Sequence, residues 1–540
     1  MAFDASDLSS QEQYVVERTR DGEIADFSAA AGPDGAKPAL RAAFLRKLLL
    51  QLEPGWPVRM PGVRIRGARI DGALDLSDCA ELPALELAGC EIAERIDLRH
   101  TRIARLSFES SALTKLDGLG LHVRGVFNLS GIRAAAADGL CWIDARALTV
   151  DGNVELSESR LAAPTAREEG VAQHLQNLAL RLSDARIAGS LHMARLQAQG
   201  GVSIGSAHVD GDVMLSHAVL EAGEGKAFRA RAAQISGALV LRDAKVAGEV
   251  DLRSASIGSN FEIVQAEVTH AAPRGGDIKS EYDVAISATN VRVGGAALFQ
   301  GANIKGEIFL ADARIDGYLA FGGGRFMNGG GWAIRAPNVR IGGNLTLKLA
   351  DDDTAPHGKK TVIQGGAKFD RAQIDGAVAW LNLELRGAGP DGAKGPLLSF
   401  ADACIKGSLQ ARNLTAQEDA RIDLAGARCG ALDDDLKTGW GVEKAALDLE
   451  GFSYARLDGG GKDDRWRARL GWLRKSRRNG FSPQPYAVLA DVYARAGWRE
   501  DARRVLLAQH DLRALHSRAG PLTRALSSAF GLVCGYGFAP

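Results

Sequence analysis

An 11-residue repeat constrains the fold of this chain more than any other feature. Residues 235–241, 246–252 and 257–263 follow one another at that interval, and each fits I-x-G-x-L-x-L with conservative changes. A small residue stands two positions before each unit, so the full consensus is A-x-I-x-G-x-L-x-L-x-x. A fixed period of this kind indicates a repeat architecture. We therefore expect the chain from about Val63 to about Asp433 to be one parallel β-solenoid.

The consensus also predicts how each coil is built. L-x-L and A-x-I are short strands whose alternate side chains point inward, and the intervening glycine permits a corner that a Cβ would obstruct. Two such segments make half a coil, so about 22 residues close one rectangular turn. The predicted fold is mainly β, a right-handed parallel β-helix whose coils stack at about 4.8 Å. Equivalent residues recur as Leu76, Leu87 and Leu98, as Gly189, Gly200 and Gly211, and as Gly295, Gly306 and Gly317.

Longer stretches interrupt the repeat and are predicted to be loops that leave one corner of the coil, because most are rich in Gly, Pro, Ala or charge. Fresh repeat units begin after many of them, so the solenoid is expected to continue through them. They are residues 133–138, 163–176, 221–227, 269–282, 322–331, 350–360 and 387–394.

Both ends carry helical patterns. Residues 9–20 and 37–52 are predicted helices that cap the first coil, because an open solenoid end would pair with another copy. Further helices are predicted at 464–478, 483–496 and 500–515. The last two are similar to one tetratricopeptide-type hairpin, with an ordinary helical cap as the alternative. The predicted domains are a helical cap (1–62), the solenoid (63–435), a basic α-helical region (436–518) and an apolar tail (519–540).

Charge is balanced over the whole chain and unbalanced near its C-terminus. Lys+Arg and Asp+Glu are both 66, which argues against a general polyanion binder or a specific nucleic-acid partner. Residues 465–518, however, hold thirteen Lys/Arg and four Asp/Glu, and an apolar, aromatic stretch follows. That combination favours contact with an anionic membrane surface, the alternative being a solvated basic face with a tail packed on the hairpin. The predicted surface residues are Arg474, Lys475, Arg477, Arg478, Arg499, Arg503, Arg504, Tyr536 and Phe538.

The ends of the sequence bear on localisation. The first residues have neither a basic nor an apolar signal region, and no run of 18 apolar residues occurs. We therefore expect a cytoplasmic protein at the inner face of the membrane.

The C-terminal motifs resemble those of a group of uncharacterised bacterial proteins with a pentapeptide-repeat-like β-helix. The matching residues are 481–486 (F-S-P-Q-P-Y), Leu489-Ala490, Gly497, Ala502-Arg503, Val505-Leu506 and 535–540 (G-Y-G-F-A-P). In that family the last motif usually precedes hydrophobic membrane segments. Some members carry the label "membrane-associated oxidoreductase", a chemistry that the residues of this chain do not support.

Short motifs associated with catalysis occur outside their required context. Residues 387–392 match G-x-G-x-x-G, but Lys394-Gly-Pro396 follows where a helix should begin. Residues 201–205 match G-x-S-x-G, yet Val202 and Ile204 occupy inward strand positions and Ser203 points outward. The acidic runs 351–353 and 433–435 are predicted to be solvated turns. We expect scattered surface positions for His192, His208 and His217, and no cofactor, metal or catalytic residue.

These observations favour a non-enzymatic structural scaffold or interaction protein whose loops bind an unidentified protein partner and whose basic end lies at a membrane. Two alternatives stay open. A carbohydrate-active enzyme of the β-helix type would place paired Asp residues and a basic residue on adjacent coils. A bactofilin-like polymer would assemble through exposed solenoid ends, and the predicted caps argue against it.

Overall fold

The structure is a computed structural model, and it describes residues 8–29, 37–53, 55–135, 139–164, 177–270, 284–348, 360–387, 395–417, 420–441, 446–458, 465–474, 476 and 481–516. It is mainly β, with parallel strands in a β-solenoid-like arrangement. The chain divides into two compact units, residues 1–277 with 285–287 and residues 278–284 with 288–540.

Each coil of the first unit has four sides, which we number in chain order. On the first side Leu191 pairs in parallel with Val213, twenty-two residues later. On the second side Gln197 pairs with Val219 at the same interval. The repeat of eleven residues therefore spans half a coil, as the sequence predicts.

The strands of the first unit follow these four sides. The first side holds Ala25–Asp26, Val63–Arg66, Leu85–Ala88, Leu106–Ser107, Phe127–Asn128, Val154–Glu155, Leu191–His192, Val213–Met214, Leu239–Val240 and Phe261–Glu262. The second side holds Ala39–Arg41, Arg69–Asp71, Glu91–Ile92, Ala112–Leu113, Arg133–Ala134, Arg160–Ala162, Gln197–Gln199 and Glu267–Thr269. The third side holds Leu74–Asp75, Ile96–Asp97, Lys115–Asp117, Trp142–Asp144, Leu178–Arg181, Gly201–Ser203 and Val284–Ser287. The fourth side holds Arg102–Ile103, His122–Val123, Thr149–Val150, Arg186–Ile187, His208–Val209, Gln234–Ile235 and Ser256–Ile257, while Val219–Arg229 and Lys245–Asp251 run from the second side into the third.

The second unit repeats the four sides with longer strands. Its first side holds Ala297–Leu298, Leu319–Ala320 and Leu345–Thr346, and its second side holds Asn303–Lys305. Its third side holds Glu307–Phe309, Leu398–Ser399, Arg421–Asp423 and Ala446–Asp448, and its fourth side holds Arg292–Val293, Arg314–Ile315, Arg340–Ile341 and Gln373–Ile374. The strands that continue through a corner are Arg325–Arg335, Thr361–Lys368, Val378–Arg386, Cys404–Ala416, Arg428–Asp434 and Ser453–Asp458.

Two kinds of corner bend the coil. Where the third side meets the fourth, the N–H of Ala207 donates to the Ile204 carbonyl over 3.1 Å, and Ser206 between them is left-handed at φ 55°. This conformation recurs every eleven residues at Asp184, Arg195, Ser206 and His217. The consensus glycine lies at the other corners, such as Gly211 between the fourth and first sides and Gly200 between the second and third. A Cβ on Gly211 would come within 2.9 Å of the Gly189 carbonyl oxygen, so close contact with the preceding coil excludes a side chain there.

Aliphatic and aromatic side chains fill the interior. In the second unit Phe299 stacks on Phe321 at 5.0 Å between ring centroids, and Phe369 stacks on Phe400 at 5.1 Å. Trp380 continues this cluster, at 5.8 Å from Phe400. Inward positions are thus occupied by packed apolar groups, and polar side chains project from the outer surface.

Most interruptions of the repeat lie between the second and third sides, as the single-corner hypothesis predicts. Residues 350–360 are an exception, because they separate first-side Leu345–Thr346 from second-side Thr361. Two of the predicted loops are extended strand instead. Residues 221–227 lie within Val219–Arg229, and most of 322–331 lies within Arg325–Arg335. There the insertion is absorbed as a shift in strand register.

Helices α1 (Ser10–Asp21) and α2 (Ala42–Leu49) pack on the first coil. Ser9 and Glu12 form a capping box at the start of α1, and Gly22 ends it in the left-handed conformation. The predicted second helix, 37–52, is longer than α2. Ala39–Arg41 pairs instead with Arg69–Asp71. The backbone of these residues forms sheet hydrogen bonds, so the helix begins only after them.

Helices α3 (Arg465–Leu473), α4 (Gln484–Arg495) and α5 (Arg499–His516) form the C-terminal part. The predicted helices 464–478, 483–496 and 500–515 correspond to them. Parallel pairing extends past residue 435, where the solenoid was predicted to end, because Cys429 pairs with Tyr454.

Candidate functional sites

The predicted membrane-surface residues are only partly within the described chain. Arg474 follows α3 and Arg499 begins α5, and both are exposed. Arg503 and Arg504 lie 3.7 Å from Glu500. The remaining residues of this set, Lys475, Arg477, Arg478, Tyr536 and Phe538, lie outside the described residues, as does the apolar tail.

One arginine of this basic region is buried in an ion pair. Arg469, on α3, donates from Nη1 to Asp434 Oδ2 over 2.8 Å and from Nη2 to Asp434 Oδ1. The Trp440 indole N–H donates to the same carboxylate over 2.6 Å. The prediction of a solvated acidic turn is therefore wrong for Asp434, which ties α3 to the last coils of the second unit.

Further contacts fix the helical hairpin on that unit. Gln484, at the start of α4, accepts from the Gly451 N–H over 3.0 Å and donates to the Phe452 carbonyl over 3.2 Å. The inward face of α4 buries Tyr486, Leu489 and Tyr493. Arg474 and Arg499 form no ion pair with any described residue, whereas exposed Arg495 pairs with Asp491 at 2.7 Å. The helical end therefore has exposed positive charge, at Arg474 and Arg499, that is not neutralised by an ion pair with a described acidic residue.

A second site, absent from the predictions, follows the third side of the first unit. The last residue of each third-side strand projects outward and lies in register with the last residue of the next strand. We call this row the outer column. In order it contains Asp75, Asp97, Asp117, Asp144, Arg181, Ser203, Arg229, Asp251 and Ser287.

The acidic end of the outer column is held by arginines. Arg95 Nη2 donates to Asp97 over 2.8 Å and to Asp117, one coil later, over 2.9 Å. Arg99 adds hydrogen bonds of 2.8 Å to both carboxylate oxygens of Asp97. Burial acts to raise the pKa of Asp97, but the hydrogen bonds from Arg99 and the charges of both arginines outweigh it and lower that pKa. The carboxylate is thus held ionised and fully bonded.

The middle of the column combines an indole with cations. The Lys115 ammonium lies 4.1 Å from the centroid of the Trp142 ring, and the Arg181 guanidinium carbon lies 5.2 Å from it. Arg181 also pairs with Asp144 at 3.2 Å, and Arg146 pairs with Asp144 at 2.8 Å. These cation–π contacts and ion pairs stabilise a largely buried polar layer.

The distal part of the column is richer in positive charge. Asp251 accepts from Arg253 over 2.8 and 2.6 Å and also from Lys226. Burial acts to raise the pKa of Asp251, but these hydrogen bonds lower it to about 2. Arg229, in register between Ser203 and Asp251, forms no hydrogen bond or ion pair with a described residue, and its Nε is buried.

The second unit has its own third-side column, with a different character. Its residues are Phe309, Arg335, Lys368, Ser399, Asp423 and Asp448. Arg335 pairs with buried Glu307 and lies 4.0 Å from the Phe309 ring centroid. Burial raises the pKa of Glu307. The hydrogen bond and charge of Arg335 act to lower this pKa, but they offset the effect of burial only in part.

Among the described residues no group of three or more His, Cys, Asp or Glu could hold a metal. His192 pairs with Glu155 at 2.9 Å and His208 pairs with Asp210 at 3.1 Å. These two histidines therefore have different acidic partners. The first described element after the G-x-G-x-x-G match is strand Leu398–Ser399 rather than a helix.

Comparison with protein-family models, curated proteins and solved structures gives no match to this chain. The resemblance to bacterial pentapeptide-repeat-like proteins therefore stays a prediction. Among the described helices, none is long and apolar enough to cross a bilayer.

Proposed function

We propose that this protein is a non-enzymatic scaffold that binds other molecules along its solenoid surface and attaches peripherally to an anionic membrane through its basic helical end. The observation that carries the proposal is that the C-terminal arginines fall into two groups, one buried in an ion pair and the others exposed. Arg469 fixes the helices to the coil in a buried pair, while Arg474 and Arg499 face solvent without an ion pair to any described residue.

The outer column supports a scaffold rather than a catalyst. Its carboxylates at Asp97, Asp144 and Asp251 are bonded to arginine or lysine, so they are poor general bases. We further propose that the coils are right-handed, because connections between parallel strands of one sheet almost always have that hand. We also propose a cytoplasmic location at the inner membrane face, because the cytoplasmic leaflet carries the anionic lipids that this end would bind.

Flotation with vesicles tests the membrane part. We expect the protein to float with vesicles that contain anionic lipid and not with purely zwitterionic ones, and binding should weaken as salt increases. Each exposed arginine near such a surface contributes about 1 kcal/mol. The variant Arg474→Glu/Arg499→Glu should therefore lower vesicle affinity by more than about twentyfold.

The matched control is Arg160→Glu/Arg186→Glu, which makes the same change of charge at exposed solenoid positions. The control should float like the unmodified protein. Absence of flotation at low salt, or equal losses in both variants, would contradict a specific role of the helical end.

A carbohydrate-active enzyme is the second candidate, and one observation favours it. Asp97 and Asp117 lie on adjacent coils with Arg95 bridging them, which is the arrangement expected of such an enzyme. The test is incubation with acidic polysaccharides, followed by assays for new reducing ends and for unsaturated uronate products. Activity that Asp117→Asn abolishes would replace the scaffold proposal.

The filament alternative is disfavoured by the two capped ends. Light scattering after size-exclusion chromatography should give a discrete particle, and a polymer would support assembly through the solenoid ends.

A further inference from the structure

The outer column of the first unit contains two arginines. Arg229 is the one that forms no hydrogen bond or ion pair with a described residue. The in-register residue on one side is Ser203 and on the other is Asp251. Asp251 is already bonded to Arg253 and Lys226. Arg181, the other arginine of the column, is paired with Asp144 at 3.2 Å. Arg229 therefore carries a partly buried positive charge that forms no ion pair with a described residue, although Asp251 and Glu249 act on it electrostatically.

Two hydroxyl groups lie in the two preceding coils, Ser203 in the adjacent coil and Ser183 in the coil before it. Ser203 Oγ is 3.0 Å from Ser183 Oγ, and Ser203 is only 3% exposed. Two hydroxyls carry two protons, and their mutual hydrogen bond uses one. The other proton remains available to a further acceptor. Serine hydroxyls beside an arginine in register supply the donors that an anionic oxygen requires.

Space is present beside these hydroxyls. For a Cβ built on Gly205, the nearest atoms would be the Arg231 carbonyl oxygen at 3.7 Å, Ser203 Oγ at 3.8 Å and Ser183 Oγ at 3.9 Å, all at ordinary van der Waals distance. No backbone obstructs this position, in contrast to most glycines of the repeat. Exposed Arg231 lies at the corresponding turn of the next coil, which adds positive potential nearby.

We propose that Arg229, together with the Ser203 and Ser183 hydroxyls, forms a binding subsite for a carboxylate group of a ligand. The planar fork of a guanidinium matches a carboxylate through two parallel hydrogen bonds. The charge match favours a monoanion over a dianionic phosphate, because Asp251 and Glu249 act electrostatically at Arg229 and would repel a second negative charge. The carboxylate can belong to a uronic acid sugar or to an acidic peptide.

The test is saturation-transfer NMR on the full chain at low salt, with a galacturonate trimer and a glutamate-rich peptide as separate probes. We expect at least one probe to bind and inorganic phosphate to compete poorly. Binding of the sugar alone assigns a uronate ligand, binding of the peptide alone assigns an acidic peptide, and binding of both assigns a general carboxylate site. Failure of both probes, or phosphate binding more tightly than either, overturns the proposal.

Substitutions locate the binding at this subsite. Arg229→Gln should weaken probe binding roughly ten- to hundredfold, the range for losing a charge-assisted hydrogen bond, and Arg229→Lys should restore part of it. Gly205→Ala, which removes no donor, should also weaken binding because its methyl group contacts both hydroxyls. The control Arg160→Gln should bind like the unmodified protein. Unchanged binding by Arg229→Gln and Gly205→Ala, both folded by circular dichroism, would refute the assignment.

Discussion

The N-terminal and C-terminal caps each use one arginine–carboxylate pair to attach helices to a coil, but water reaches the two pairs to different degrees. In the N-terminal cap, Glu12 of α1 is 1% exposed while the Arg41 side chain is 42% exposed. In the C-terminal cap, Asp434 and Arg469 are 0% and 4% exposed. The loss of one partner should therefore cost much more at the C-terminal end, because the remaining charge stays buried.

The largest effect is expected from Arg469→Met. Removal of the guanidinium leaves the Asp434 carboxylate buried without its cationic partner, and the Trp440 indole N–H remains as a donor to it. The free energy of unfolding should fall by about 3–5 kcal/mol, measured by urea titration of tryptophan fluorescence. Arg467→Met, an exposed position on the same helix, should change it by less than about 0.5 kcal/mol. Similar small losses in both variants would mean that water reaches the Asp434 pair.

Replacement of both partners sharpens that result. Asp434→Leu/Arg469→Met removes both charges, so no isolated ion remains in the core. The Trp440 N–H loses its acceptor, at a cost of about 1–3 kcal/mol. We expect the double variant to be more stable than Arg469→Met alone, measured by the same titration. A double variant less stable than the single one would show that the Asp434 carboxylate stabilises the cap even without Arg469.

At the N-terminal cap, Arg41→Met should lower the free energy of unfolding by about 1–3 kcal/mol. Glu12 keeps a hydrogen bond of 3.0 Å from the Ser9 N–H, and the removed guanidinium is partly exposed. A loss as large as that of Arg469→Met would remove the contrast between the two caps. The exposed position Arg160→Met serves as the control.

The N-terminal cap should also respond to acid. Burial acts to raise the pKa of Glu12, but hydrogen bonds from Arg41 and Ser9 lower it below the ordinary 4.5. Its stabilisation is therefore present above pH 4.5 and is lost as pH falls through the lower pKa of the folded state. The difference in unfolding free energy between the unmodified protein and Glu12→Gln should shrink as the pH falls below 4.5. A difference independent of pH would contradict the assigned pKa direction.

The smallest effect concerns the capping box of α1. Ser9→Ala removes the hydroxyl that accepts from the Glu12 N–H, and N-cap losses of this kind cost about 1 kcal/mol. Thermal unfolding followed by circular dichroism should detect the change. Ser10→Ala, one residue later and within the helix, is the matched control and should be close to neutral.

Sequence periodicity predicted the coil because each coil repeats a local rule. Alternation fixes which residues face inward, and the left-handed corner recurs every eleven residues, as at Ser206 and His217. The outer column was not predictable in the same way. Its coils differ in length. Lys115 pairs with Trp142 in the next coil, whereas Ile143, beside Asp144, pairs with Leu180 across a longer stretch of chain. Ser203 was predicted to point outward, but nothing local indicated that Arg229 would lie beside it.

By itself the sequence determined the period, the inward and outward faces of each strand and the helical ends, because all of these depend on residues close together in the chain. Which polar residues come into contact depends on the folded arrangement of the coils. Asp434 reaches Arg469 across 35 residues, and Ser203 pairs with Arg229 across an insertion. Such partners depend on how many extra residues each coil contains at its corners. That number follows from packing against the previous coil rather than from the repeat.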